Sequence, residues 1–289
     1  MTICAIIITY HPSAEVIKNI EIIGAMVDKV VVYDNTPGES EVIKSLGSIS
    51  GIEVFHQGKN DGLGTALNFG LDYALEQHFD WLATFDQDSR PTANMFEKML
   101  RDYERYPDYD RVRILAPRHL NPLLEDELLA IETNRNLPPI KRKTVITSGN
   151  LIYLHCIDKN LRFDEDLFID SVDHDFCLKV LGRNEIILEC ENALLIHSIG
   201  DISYHRHAGV TVHATNHVPL RHYYMMRNRL YIWMRYFFSF PEWVISDIFA
   251  HLKMIARLLM LEEKKLLKLN YMTKGFLDFL RGKKGSLDD

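Results

Sequence analysis

Over its first hundred residues the chain alternates between two apolar periods. "ICAIIIT" (3–9) is an unbroken apolar run, the pattern of a strand covered on both faces. Behind it, "SAEVIKNIEIIGAMV" spaces its apolar residues three and four apart, as a helix does, with Ser13 placed to cap it. "KVVVYDN", "IEVFHQ" and "WLATFDQD" repeat the strand pattern. "ESEVIKSLG", "LGTALNFGLDYALEQ" and "PTANMFEKMLRDYERY" repeat the helical one, the last with Pro91 near its first turn. Such alternation predicts an α/β fold, a mostly parallel sheet flanked by helices. Sheets of this kind bind ligands at the carboxyl ends of their strands, where Asp34, Asn35, Asp86 and Asp88 fall.

The pattern then loosens. Residues from about Asn121 to Lys143 show no period and read as a surface loop. "TVITSGNLIYLH", "EIILEC" and "ALLIHSIGD" read as strands, and "DSVDHDFCLKVLGRN" as a helix with an acidic first turn that suits the helix dipole. From Pro219 onward the texture changes to long helical segments rich in aromatic residues and arginine, which predicts a domain over 1–218 and a helical extension over 219–289.

Charge sharpens that division. The net charge of −7 argues against a nucleic-acid binder, yet from Arg221 onward there are 13 Lys+Arg against 7 Asp+Glu, a net of +6. The apolar stretches of this basic extension are broken by charges. It is therefore expected to lie on a membrane surface, or to pack on the 1–218 domain or on a second copy in a homo-oligomer, without crossing a bilayer. Cys4, Cys156, Cys177 and Cys190 form no CxxC pair, and the apolar run at the N-terminus is too short for a signal peptide. A cytoplasmic chain with free thiols is the expectation.

Asp86 and Asp88 straddle Gln87 at the end of an apolar strand. Carboxylates there cap the next helix or hold a hard cation, Mg²⁺ or Mn²⁺, that bridges to a diphosphate. "GKNDGLGTALNFGL" keeps side-chain bulk low at a loop-to-helix junction but lacks the Gly-Lys-Ser/Thr of a nucleotide-hydrolysing loop. In "FIDSVDHDFCLKV", Asp173 and Asp175 stand about 200° apart on a helix, so only one of them can face a site. His197 ends an apolar strand, and "RHYYMMRNR" groups Arg221, Tyr224, Arg227 and Asn228, cations suited to a diphosphate or to a solvated face.

In order along the chain, "TYHP", "YDNT", "NDGLGTALNFGL", "FDQDS", "TSGNLI", "FIDSVDHDFCLK", "HSIGD" and "RHYYMMRNR" resemble the motifs of inverting nucleotide-sugar glycosyltransferases of family 2. More closely, they resemble the bacterial rhamnosyltransferases that build O-antigen, capsule or cell-wall polysaccharide. The resemblance spans Thr9 to about Asn228. It implies a GT-A fold with a Rossmann-like sheet, a dTDP-β-L-rhamnose donor, and a saccharide acceptor that is commonly lipid-linked.

It also implies roles. Thr9 and Tyr10 would line the nucleotide pocket, and Asp34 would reach the base. Asn60, Gly62 and Asn68 would border nucleotide and sugar. Asp86, Asp88 and His197 would hold the metal, and Arg221, Tyr224 and Arg227 would serve the diphosphate. Asp173 would be the general base, with Asp170 second in line because Val172 replaces the acidic residue that often precedes the base. A transferase using a UDP-hexose, a sugar-1-phosphate nucleotidyltransferase and a non-catalytic nucleotide-sugar-binding subunit are the alternatives.

Overall fold

The fold was obtained as a computed structural model that describes residues 1–120, 137–197, 203–207, 210–214 and 216–287. The chain divides into two compact units. The first comprises Met1–Phe168 and Val172–His197; the second comprises Ile169–Ser171 and the described residues after Ser198. The division thus falls after His197, upstream of the expected 218/219 boundary.

The predicted alternation builds the first unit. In chain order its first half runs β1 (Ile3–Thr9), α1 (Glu15–Gly24), β2 (Lys29–Asp34), α2 (Glu41–Gly47), β3 (Ile52–His56), α3 (Leu63–Glu76) and β4 (Trp81–Asp86). Then follow β5 (Arg90–Pro91), α4 (Met95–Arg105), β6 (Val112–Leu120), β7 (Ile140–Lys141), β8 (Asn150–Tyr153), α5 (Val172–Gly182) and β9 (Ile186–Ile196). The strand order is β3-β2-β1-β4-β8-β6-β9-β5, with β7 also on β9. The ladders β1–β2, β2–β3, β1–β4 and β6–β9 are parallel; β8 runs antiparallel between β4 and β6. On one face of the sheet Val16, Ile20 and Ile23 of α1 and Phe96 and Met99 of α4 pack with Ile7, Ala83 and Leu195. A fully buried side chain of this size stabilises by roughly 1.5–3 kcal/mol.

Several local expectations shift. Ser13 does not cap α1 with its side chain: Ala14 holds the cap position, and the Ser13 carbonyl accepts from Val16 N–H at 3.1 Å. Pro91 lies in β5, and α4 starts only at Met95, after Asn94 turns left-handed at φ 60°. "EIILEC" and "ALLIHSIGD" form one strand, β9, whose register against β6 jumps between Pro117↔Cys190 and Arg118↔Leu194. The bulged residues carry the polar Glu191 and Asn192, which broke the apolar period. Of the expected 121–143 loop, 121–136 lies outside the described residues, and β7 lies in the remainder.

The second unit contains the hairpin of β10 (Ser203–His207) and β11 (Val210–Ala214), then α6 (Pro219–Tyr236), α7 (Pro241–Leu261) and α8 (Lys265–Leu280). Pro219 and Pro241 start their helices at positions where the missing N–H costs nothing. Gly275 lets α8 close on α6, because a Cβ there would overlap the Tyr223 carbonyl oxygen. No helix among the described residues is long and apolar enough to cross a membrane.

Candidate functional site

Strand register assembles the site. Thr9 pairs with Asp34 across β1–β2, and Ile8 pairs with Asp86 across β1–β4, so residues far apart in sequence share one rim. Asp34 is fully buried. Its Oδ1 accepts from the Thr9 and Thr36 hydroxyls at 2.7 and 2.8 Å, and its Oδ2 lies 2.8 Å from His56 Nδ1. Three partners inside the protein thus hold the carboxylate expected at the base. Tyr10 is exposed, and its N–H donates to Gln87 Oε1 at 2.9 Å. Asn19 Nδ2 donates to the Gln87 carbonyl at 3.1 Å, so the residue between the two aspartates ties β4 to the β1–α1 region.

Asp86, Asp88 and His197 converge there, each offering one ligand atom within 4.8 Å of the others. His197 Nε2 is 3.7 Å from Asp86 Oδ2, and Nδ1 is 3.3 Å from Asp88 Oδ1. The β5–β9 ladder pairs Arg90 with Ile196 and so brings His197 to this rim. Two carboxylates and an imidazole could together hold a divalent cation. The aspartates are partly exposed and the histidine is buried, so the group faces outward from a fixed wall.

That wall includes residues to which sequence reasoning gave no role. Ser148 is fully buried; its hydroxyl accepts from Asp86 N–H at 3.1 Å and lies 2.5 Å from Ser89 Oγ, itself 3.0 Å from His197 Nδ1. Gly149 N–H donates to Thr84 O at 2.6 Å, with φ at +83° and no room for a Cβ against Pro117 and Leu195. The only sequence signal was the Ser-Gly pair in "TSGN". His119 Nε2 lies 3.0 Å from the Ser148 carbonyl oxygen, and burial pushes the His119 pKa down to about 4.

The glycine-rich segment is crowded by protein. A Cβ on Gly62 would lie 2.7 Å from Phe168 Cδ2, and one on Gly64 would lie 2.9 Å from the Asp164 carbonyl oxygen. Small residues here therefore let residues 164–168 approach α3. Asn60 Oδ1 accepts from Gly62 N–H at 3.0 Å, a turn closure. Asn68 donates to Phe163 O and Glu165 Oε1 at 3.0 and 2.8 Å, and accepts from Phe163 N–H at 3.0 Å. It latches the same segment to the helix.

Asp173 and Asp175 divide as their spacing requires. Asp175 is fully buried and pairs with Lys179 at 2.6 Å one turn on. Asp173 is half-buried in the first turn of α5, where the helix dipole favours a carboxylate. It lines a cavity of about 10 Å³ with Thr147, Asn150 and Cys177, whose thiol burial pushes up to about 12. Asp173 thus shares a cavity with Thr147 and Asn150, the residues on either side of the Ser148–Gly149 pair whose serine hydroxyl accepts from Asp86 N–H.

Comparisons with known proteins carry the same indication. The family model for glycosyl transferase family 2 matches residues 4–153. The chain belongs to glycosyl transferase family 2. This transferase is similar to the dTDP-rhamnosyl transferase RfbF of Shigella flexneri, 30% identical over 241 residues that cover 78% of each chain. Among solved structures it is similar to S. aureus TarS 1-349 in complex with UDP-GlcNAc, with a TM-score of 0.57, 15% identity, and 97% of this chain and 81% of that one covered. It is also similar to GalNAc-T7 with UDP, GalNAc and Mn²⁺, with a TM-score of 0.55 and 12% identity over 72% of this chain. The match spans 44% of the GalNAc-T7 chain. The fold is GT-A.

The remaining expected residues of the transferase lie in its second unit. Arg221 is exposed and pairs with Asp170 at 3.1 Å, which occupies the carboxylate held second in line as base. Arg227 is fully buried, its guanidinium over the rings of Tyr223 and Tyr224 at 5.3 and 5.1 Å. It donates to Gly285 O at 2.7 Å and to Asn228 Oδ1 at 2.9 Å. Tyr224 Oη accepts from Leu287 N–H at 2.7 Å. Arg227 and Tyr224, expected at a diphosphate, bind the C-terminal segment. Of "HSIGD", only His197 lies within the described residues.

Proposed function

We propose that this glycosyltransferase moves a rhamnosyl group from dTDP-β-L-rhamnose to a saccharide acceptor, with inversion. The observation that carries the reading is the convergence of Asp86, Asp88 and His197 on the rim formed by β1, β2 and β4. The donor assignment is supported by the similarity to RfbF. Asp86, Asp88 and His197 would hold Mg²⁺ or Mn²⁺, which supplies positive charge for the leaving dTDP. Thr9, at the end of β1, and Tyr10, the residue after it, would flank the nucleotide.

Asp173 takes the proton from the acceptor hydroxyl as that oxygen attacks the anomeric carbon. A single displacement inverts the centre. The carboxylate is suited to the role because it accepts from His174 N–H at 2.8 Å within its own helix turn, whereas Asp175 and Asp170 are each ion-paired. The acceptor is proposed to be lipid-linked, with the second unit meeting the inner face of a membrane. Support comes from its exposed apolar side chains, Phe238 (92%), Leu266 (84%) and Met260 (66%), among the cations Lys253, Lys264 and Lys274.

The test is a donor panel with two variants. Dependence on dTDP-rhamnose and a divalent cation is expected, with loss in excess EDTA and in Asp88→Ala. Asp173→Asn should bind donor normally yet turn over at least ~10²-fold more slowly, the scale of a lost general base. Preference for a UDP-hexose would reverse the donor reading, and near-parent turnover of Asp173→Asn would reverse the base.

A further inference from the structure

The two buried serines beside the candidate cation site have no role in the proposed chemistry, yet their geometry constrains it. Ser89 and Ser148 are both fully buried, so their hydroxyls must find partners inside the protein. Ser148 Oγ accepts from the Asp86 backbone N–H at 3.1 Å and lies 2.5 Å from Ser89 Oγ. Ser89 Oγ lies 3.0 Å from His197 Nδ1, and Ser89 N–H donates to the Asp86 carbonyl at 3.2 Å. One hydroxyl pair therefore touches the main chain of one metal-ligating residue and the ring of another.

We propose that Ser89 and Ser148 are positioning residues: a two-hydroxyl relay that fixes the ring of His197 and leaves its Nε2 lone pair facing the cation. This rests on the reading of Asp86, Asp88 and His197 as the cation site. A hydroxyl donates one hydrogen and accepts two bonds, so the relay can run in either direction. In one direction His197 Nδ1–H donates to Ser89, and Ser89 donates to Ser148. In the other, Ser148 donates to Ser89, Ser89 donates to Nδ1, and the ring proton sits on Nε2.

The surroundings choose between the two. Asp88 Oδ1 is 3.3 Å from Nδ1, and a carboxylate at that distance favours a proton on that nitrogen. Asp86 Oδ2 stands 3.7 Å from Nε2, so Nε2 is the ring nitrogen that would share a cation with the Asp86 carboxylate. The relay is also rigid at its far end. Ser148 is held by the His119 contact to its carbonyl, and the next residue, Gly149, is fixed by its bond to Thr84. A ligating histidine whose second nitrogen is oriented by a hydrogen bond is a recurrent device, and loss of the orienting group costs 10–100-fold in metal affinity.

The experiment measures Mn²⁺ binding to the full-length protein by titration calorimetry at constant pH, without donor or acceptor. Ser89→Ala is expected to weaken Mn²⁺ at least ~10-fold while the metal-free melting temperature stays near that of the parent. In a His197→Ala background the same change should have no further effect, because the serine acts through the ring. Nitrogen-15 NMR of the metal-free ring should find the proton on Nδ1. Ser148→Ala serves as the second variant, and if it does not fold, Ser89→Ala decides alone. Parent-like Mn²⁺ affinity in Ser89→Ala, or a proton on Nε2, would overturn the relay. Parent-like affinity in His197→Ala would overturn the cation site beneath it, a separate outcome.

Discussion

Asn68→Ala separates two accounts of the same residue. The family resemblance places Asn68 beside nucleotide and sugar; the structure ties its amide to Phe163 and Glu165. Asn68 is 8% exposed and Phe163 is 4% exposed, so truncation leaves the Phe163 N–H and C=O without these partners in a place water scarcely reaches. A buried group left unpaired costs about 1–3 kcal/mol, so the pair amounts to ~2–6 kcal/mol, and local relaxation favours the lower half, about 3 kcal/mol. At about 2–4 °C per kcal/mol for a large domain, the melting temperature should fall by about 6–12 °C. Thermal melts and urea unfolding would be run beside Mn²⁺-dependent dTDP binding on the same preparation. The structural account expects lost stability and near-parent nucleotide affinity well below the melting point. A variant that melts with the parent but binds dTDP tenfold more weakly would refute it.

Two further outcomes follow from the second unit. His251 is 2% exposed and edge-on to Trp233, and burial, with Arg229 and His222 adding to it against Asp247 and Asp170, pushes its pKa down to about 4. The unfolded chain takes up that proton near pH 6.5, so between there and about 4 the unfolded state binds more protons and stability falls as pH falls, by about 3 kcal/mol at the lower end. His251→Gln should flatten the melting-temperature profile across that window; parallel profiles would exclude His251 as the cause. For membrane contact, the protein should co-sediment with anionic vesicles at low salt and release as salt rises, and Phe238→Ser with Leu266→Ser should weaken the binding; equal binding by parent and variant would count against this face.

Much of the framework was legible without coordinates, because it is encoded within a few residues. The unbroken apolar runs of β1, β2 and β4 and the helical spacing of α1 and α3 specify the elements, and the register of parallel strands then delivers Asp34 and Asp86 to one rim. That Asp173 and Asp175 take different surroundings also followed from helix geometry alone. By contrast, β6 went unread because Arg113, Pro117 and Arg118 interrupt its apolar run, and β9 was split in two by its bulge.

What only the tertiary structure decided is the partner of each polar side chain. Ser89 and His197 are 108 positions apart, and nothing local to either predicts their contact; two ladders and a bulge set it. The same holds for Asn68 and Arg227, which look like ligand-binding residues by type and position. Burial beside Phe163 in one case and between Tyr223 and Tyr224 in the other binds them to the protein itself. A side chain's chemistry is written in the sequence, but its partner is chosen by packing, since a buried polar group bonds to whatever the fold brings within about 3 Å.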